Sequence, residues 1–261
     1  MPLDSRKTWD ACGEAFDRFT TAKDSYSDNI ERPAIERLLG EVKDARVLDL
    51  GCGSATYSTW LAARGAIVTG IDLSPKMLAL AKSRANEQNL QLDLCIADAG
   101  DPLPFSDSAF DLIFTSTTLH FVKDIARLMR EATRVMKPAA WLIASVLHPI
   151  STARFPLADS ELARNARWES RHEWGANYFG KPQRTIETPW LGFGAVSSEG
   201  RTITCYHHTT ADYFNAIQSA GLAITELCEP APQLSFAEKN VARYDEAMSV
   251  PVYLIMKAVK A

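Results

Sequence analysis

The chain has 261 residues, with 28 Lys and Arg against 32 Asp and Glu and a formal net charge of −4. Its 46% hydrophobic and 23% charged content is that of a soluble globular protein, long enough for one large α/β domain or two small ones. Mainly apolar stretches such as 139–147 and 250–255 fall far short of the roughly 20 residues that cross a bilayer, which excludes a transmembrane helix.

The first residues place acid beside base with no apolar run behind them, so no export signal is expected. Cys12, Cys52, Cys95, Cys205 and Cys228 form no CxxC pair and no Cys/His cluster at zinc spacing. They read as reduced, packed thiols of a cytoplasmic protein without a metal site. A slightly acidic chain lacking a Lys/Arg-rich block also speaks against nucleic acid as the main partner, because phosphate binding needs concentrated positive charge, and with no spanning stretch no membrane partner is expected.

Residues 1–44 read as an N-terminal helical cap. From 45 to 147, short β-branched runs alternate with helical patterns, the sequence form of repeated βαβ units. A buried strand over 46–50 ends in Gly51-Cys52-Gly53, and a helix over 56–64 stops at Gly65. A second strand over 67–71 stops at Asp72, where Ser74-Pro75 gives an N-cap followed by proline at the first helical position. A third strand over 91–97 leads into the breaker-rich Asp98-Ala99-Gly100-Asp101-Pro102, and a fourth covers 111–115. Ile125, Leu128, Met129, Ala132 and Val135 keep the spacing of an amphipathic helix that Lys137-Pro138 terminates, before a fifth strand over 140–147.

From 148 to 205 the alternation stops. The stretch is aromatic and polar and carries several prolines, which predicts a lid inserted over a substrate site. Thr209 and Asp212 then resemble a capping box opening a helix that ends at Gly221. Strands over 222–228 and 252–259 complete the sheet within 206–261. The expected fold is a single doubly wound, Rossmann-like α/β domain with a largely parallel central sheet, helices on both faces and the inserted lid.

The chemistry concentrates in Asp49-Leu50-Gly51-Cys52-Gly53, followed about 20 residues later by Asp72 at the end of the second strand. Glycines let the backbone approach a ligand where a Cβ would clash, and the turn lies at a helix N-terminus. An acid after the second strand is placed to accept hydrogen bonds from ribose hydroxyls, so the pattern describes a nucleoside site. A dinucleotide site fits less well. The third small residue of G-x-G-x-x-G is here Thr56, and the charge of Asp49 opposes a pyrophosphate. A ligand bearing an ammonium group suits that acid better.

These residues resemble the class I S-adenosylmethionine-dependent methyltransferases, whose first motif has the form D-x-G-x-G. The resemblance covers about 45–147 and extends more loosely to the C-terminus. It implies S-adenosylmethionine as cofactor, with Asp49, Gly51, Cys52 and Gly53 around its methionine part and Asp72 on both ribose hydroxyls. It further implies Leu73 and Met77 flanking the adenine, Asp98 and Ala99 at its edge, and Thr115 beside the amino-acid end. Leu119-His120-Phe121-Val122 also looks like the family.

Methyl transfer from a sulfonium is a displacement that can be accelerated mainly by holding the acceptor in line, so a strong catalytic group is not obligatory. His148, which opens the lid at the ligand-bearing edge of the sheet, is the candidate base. Tyr26 and Arg154 are candidate substrate contacts. His120 reads as packing, His207 and His208 as capping or solvated groups, and Arg184 as a further possible anion contact. The sequence lacks the Asn/Asp-Pro-Pro-Tyr/Phe and Pro-Cys motifs of nucleic-acid base methyltransferases, which leaves a small organic acceptor, methylated at oxygen. The competing readings are a nicotinamide-dependent oxidoreductase and a non-catalytic cofactor-binding interaction protein.

Overall fold

The computed structural model describes residues 5–153, 178–180, 183–187 and 201–260. Its centre is a seven-stranded sheet with the order β3-β2-β1-β4-β5-β9-β8. The strands are β1 (Arg46–Leu50), β2 (Ile67–Asp72), β3 (Asp93–Ile96), β4 (Phe110–Ser116), β5 (Met136–Leu147), β8 (Leu222–Cys228) and β9 (Tyr253–Lys260). Strands β1 to β5 pair in parallel, and β9 runs antiparallel to both β5 and β8. The largely parallel, doubly wound sheet expected from the alternating pattern is therefore present.

Successive residues of a strand point to opposite faces. Leu48, Leu50, Ile113, Leu142 and Ala144 pack on one side against α5 (Ile125–Val135) and α7 (Thr210–Ser219). Val47, Leu112, Phe114, Ile143 and Ile255 pack on the other against α2 (Arg32–Leu39) and α3 (Thr56–Ala62). Covering both faces explains why the strands read as near-continuous apolar runs. The anticipated caps form: Ser74 Oγ accepts from Met77 N at the start of α4 (Pro75–Glu87), and Thr209 and Asp212 close a reciprocal capping box on α7.

Several boundaries differ from the sequence reading: α3 stops at Ala62 rather than 64 and β3 narrows to Asp93–Ile96. α5 ends at Val135 and β5 begins at once, four residues before 140, because Met136 pairs with Phe110 ahead of a register shift. That shift and the left-handed Ala139 (φ 60°) absorb Pro138, so the proline sits in an irregular strand rather than a loop. Two helices not anticipated, α8 (Leu234–Lys239) and α9 (Val241–Ser249), occupy the β8–β9 connection, with Asn240 capping α9 through its side chain. The N-terminal region is helical as expected: α1 (Ser5–Thr20), a π-helical turn (Ser27–Glu31) and α2. Within 148–205 the described residues form α6 (Pro149–Ala153) and an antiparallel pair, β6 (Gln183–Glu187) and β7 (Thr202–Tyr206). Arg154 lies outside the described residues, as do Trp168, Trp174, Trp190 and Phe193.

Candidate functional site

A cavity opens at the carboxyl ends of β1, β2, β3 and β4, the edge where ligands of parallel α/β sheets bind. Its floor is the turn after β1. Gly51 and Gly53 adopt φ of 72° and 54°, and Ala55, which caps α3, is left-handed as well. A Cβ on Gly51 would come within 2.4 Å of Thr118 Oγ1 and Cγ2, and one on Gly53 within 3.2 Å of Met77 Cε. Gly51 therefore needs glycine for conformation and for space, whereas at Gly53 the left-handed φ is the constraint and the flexible Met77 end need shift only a few tenths of an ångström.

Asp72 fixes this turn to the end of β2. Its Oδ2 accepts from Gly53 N at 3.0 Å and its Oδ1 from Ser74 N at 2.8 Å, leaving further lone pairs for a ligand. Burial raises its pKa, partly offset by those backbone N–H groups. Asp49, at 2% exposure, accepts from Ser58 Oγ at 2.6 Å. Burial pushes its carboxyl up to about 7, and the neighbouring Asp72 adds to the rise. Buried Asp49 and half-buried Asp72 stand at the ends of the first two strands with no cation paired to either among the described residues, a site that favours a positive, hydroxyl-bearing ligand.

Asp49, Gly51, Cys52, Gly53, Asp72, Leu73, Met77, Asp98 and Ala99 all line the cavity. Thr115 does not. It is fully buried and its Oγ1 donates to Leu50 O at 3.1 Å, because its parity places it on the α5 face of the sheet. The neighbouring Ser116, Thr117 and Thr118 take the lining positions. Cys52 is a buried thiol whose pKa burial drives well above its ordinary value, which makes it a packing group.

His148 is not brought to the cavity. Its Nδ1 accepts from Ile150 N at 3.2 Å and its Nε2 pairs with Glu229 Oε1 at 2.8 Å, so both ring nitrogens are engaged in holding the start of α6. Tyr26 also turns away: its hydroxyl donates to Glu246 Oε2 of α9 at 2.7 Å and its ring packs edge-on against Phe236. His120 is buried with its pKa lowered to about 3 by desolvation, consistent with packing. His207 and His208 are buried as well. His207 pairs with Thr152 Oγ1 and Tyr178 O, and His208 donates to Val122 O.

The sequence anticipates a helical cap and a lid, but not which of their residues form the roof. Thr8, Trp9, Phe16 and Thr20 of α1 line the cavity, with Phe121 and, from β7, Ile203 and Thr204. Trp9 packs edge-on to Phe16 and Phe121, each at 5.1 Å. Polar staples hold α1 down. Arg84 Nη1 donates to Ser54 O, Ser54 Oγ and Thr56 Oγ1, its Nη2 reaches both oxygens of Asp17, and Ser74 Oγ donates to Asp10 Oδ1 at 2.6 Å. The amphipathic, Trp- and Phe-bearing N-terminal helix was the available signal; its docking partners lie tens of residues away.

The family described as a methyltransferase domain matches residues 48–144. The chain is 31% identical to the S-adenosylmethionine dependent methyltransferase from Mesorhizobium loti, covering 88% of this chain and 97% of that one with a TM-score of 0.69. The chain belongs to the S-adenosylmethionine-dependent methyltransferases. It is also 35% identical to a demethylmenaquinone methyltransferase of Tropheryma whipplei, over 53% of this chain and 56% of the relative. A ubiquinone biosynthesis O-methyltransferase of Xanthomonas oryzae pv. oryzae is 33% identical, over 45% of this chain and 49% of the relative. The chain thus spans about half the length of these curated relatives. The cofactor of the family is S-adenosylmethionine, and the lining fits it: a glycine cradle, Asp72 with free lone pairs, a buried Asp49, and the apolar Leu73 and Met77. Among the described residues no helix is long and apolar enough to cross a membrane, and no cluster of His, Cys, Asp or Glu is suited to a metal ion.

Proposed function

We propose that this chain is a cytoplasmic enzyme that transfers a methyl group from S-adenosylmethionine to an oxygen of a small organic acceptor. The observation that carries the reading is the placement of buried Asp49 and half-buried Asp72 around the left-handed Gly51-Cys52-Gly53 turn, at the sheet edge where a cavity opens. Bound there, the cofactor supplies a methyl group on a positively charged sulfur.

The chain's own residues bind, orient and exclude water. Asp72 accepts from the ribose hydroxyls, Asp49 faces the methionine ammonium, Leu73 and Met77 cover the adenine, and Asp98 and Ala99 meet its edge. Trp9, Phe16 and Phe121 form an aromatic roof that keeps water out of the site. Catalysis is then chiefly a matter of alignment. His148 has no free ring nitrogen for the acceptor and is assigned a structural role in its place.

The relatives named for demethylmenaquinone and for ubiquinone biosynthesis support a ring-bearing small molecule as acceptor. Incubation with methyl-labelled S-adenosylmethionine and a panel of hydroxylated aromatic and quinol acceptors tests this. Label on an acceptor oxygen with matching S-adenosylhomocysteine is the expected result. A protein that binds neither S-adenosylmethionine nor S-adenosylhomocysteine refutes the reading, and label appearing only on nucleic acid refutes the acceptor class.

A further inference from the structure

A further buried acid lies behind the cavity wall. Glu31 closes the π-helical turn Ser27–Glu31, a helix form found mostly as single turns at functional positions. Its side chain is fully buried. Tyr57 Oη donates to Oε2 at 3.0 Å, and Ser116 Oγ donates to Oε1 at 2.6 Å. Both donors line the cavity, so Glu31 stands one hydroxyl behind the wall along two routes.

The elements packed around it bring no cation into contact. Tyr57 comes from α3 and Ser116 from the end of β4. Ser145 of β5 faces the carboxylate with a buried hydroxyl outside hydrogen-bonding geometry. Tyr253 of β9 and Tyr26 are neutral phenols, and Tyr253 Oη lies 3.4 Å from Ser27 Oγ. Arg32, the adjacent residue, is committed to Asp28 at 2.9 Å with its guanidinium 5.0 Å over the Tyr57 ring. Among the described residues Glu31 makes no ion pair, and burial raises its pKa against the opposing pull of its hydroxyl donors and, last, of the Arg32 charge. A buried carboxylate held by hydroxyls and no direct ion pair is costly. A glutamine of the same shape would carry no charge and need only one of the two hydroxyls to turn round and accept from its amide N–H, so the charge or the proton of Glu31 is the feature that needs explaining.

We propose, on the basis of the methyltransferase reading above, that Glu31 balances charge in the cavity: it stands ionised against the cofactor's sulfonium and takes up, through Ser116, the proton that methylation frees from the acceptor hydroxyl. The acceptor oxygen forms its bond to the methyl carbon as the carbon–sulfur bond breaks, the electron pair staying on sulfur. The hydroxyl proton passes to Ser116 Oγ, and the Ser116 proton passes to Glu31 Oε1. One positive charge disappears at sulfur and one negative charge at Glu31, so the net charge of a dry site is the same before and after. Glu31 touches no ligand and is a positioning residue.

The test needs no acceptor, because S-adenosylmethionine and S-adenosylhomocysteine share the ammonium and differ in the sulfonium. Calorimetric titration with each, in buffers of different ionisation enthalpy between about pH 5.5 and about pH 8.5, counts the protons released on binding. The contribution of Asp49 is common to both ligands and cancels. Wild-type protein is expected to release more protons with S-adenosylmethionine, by up to about one per site. Glu31→Gln should abolish that difference and weaken S-adenosylmethionine about tenfold relative to S-adenosylhomocysteine, whose affinity stays within about threefold. Glu31→Asp, which keeps the charge, should restore part of the difference. Equal proton counts for the two ligands in the wild type overturn the proposal even if the variants fail to fold. An unchanged affinity ratio in a folded Glu31→Gln protein overturns it as well. If the wild type binds neither ligand, the methyltransferase reading itself falls and the proposal with it.

Discussion

Replacing Asp49 by asparagine separates what this acid costs the folded chain from what it gives the cofactor. The carboxyl lies 2% exposed at the end of β1, and its pKa rises from 3.8 to about 7, chiefly by burial. With the folded pKa above the unfolded one, the group favours the native state fully below about pH 4, and this contribution is lost as pH rises through about 7. A rise of about 3 pH units at 1.36 kcal/mol each amounts to about 4 kcal/mol forgone at pH 8. Asp49→Asn should therefore stabilise the ligand-free protein at pH 8 by up to about 4 kcal/mol, with the gain shrinking toward zero near pH 4. Ligand binding runs the other way. In the wild type the ionised fraction climbs from about one tenth at pH 6 to about nine tenths at pH 8, so S-adenosylhomocysteine affinity should improve about tenfold over that interval. The asparagine variant should lose this pH dependence and bind about tenfold to a hundredfold more weakly at pH 8, the worth of one hydrogen bond to a charged group. Urea denaturation at pH 5 and pH 8 and calorimetric titration across the same range read both effects. A variant no more stable than wild type at pH 8, or one keeping the wild-type affinity and pH profile, would refute the reasoning.

Asp72→Ala removes two ribose contacts and the tie to Gly53 N, and S-adenosylhomocysteine should bind about 30-fold to 1000-fold more weakly, from roughly 2–4 kcal/mol for two charge-assisted bonds. A 2′-deoxy analogue should lose affinity for wild type and not for this variant; equal losses in both would sink the ribose assignment. Gly51→Ala forces a left-handed alanine whose Cβ meets Thr118 at 2.4 Å, so denaturation should show a loss of about 1–3 kcal/mol together with weakened ligand binding, and a silent substitution would contradict the packing described. His148→Ala should lower stability by about 1–3 kcal/mol through its broken bonds to Glu229 and Ile150 while leaving ligand affinity unchanged, and a variant of normal stability that cannot turn over would return His148 to the chemistry.

The readable part of this fold is its parallel half, where β1 and β2 are apolar runs each followed or closed by a residue that also lines the site. β1 ends at Leu50, just before Gly51, and β2 at Asp72, so one short signal reports both the boundary and the site. What was not readable depended on register or on distant partners. Thr115 and Ser116 differ only in parity, which the register shift between Phe110 and Leu112 helps set and which composition does not reveal. The sequence puts Tyr26 at the substrate because it does not reveal α9; with α9 in place, Glu246 accepts the hydrogen bond of its hydroxyl. The same holds for Glu229 and His148, while Asp17 and Arg84, 67 residues apart, meet only once α1 has docked. Glu31 gave no signal at all, since its significance lies in hydroxyls from α3 and β4 that chain order does not bring near it.

A crystal structure of the protein grown with S-adenosylhomocysteine tests the whole account most directly. The account predicts density running from Asp49 and the Gly51 turn, past both ribose hydroxyls on Asp72, to an adenine between Leu73 and Met77, with the sulfur facing an open space bounded by Tyr57 and Ser116. A ligand bound elsewhere, or a turn collapsed so that the cavity is filled by the chain's own side chains, would contradict it.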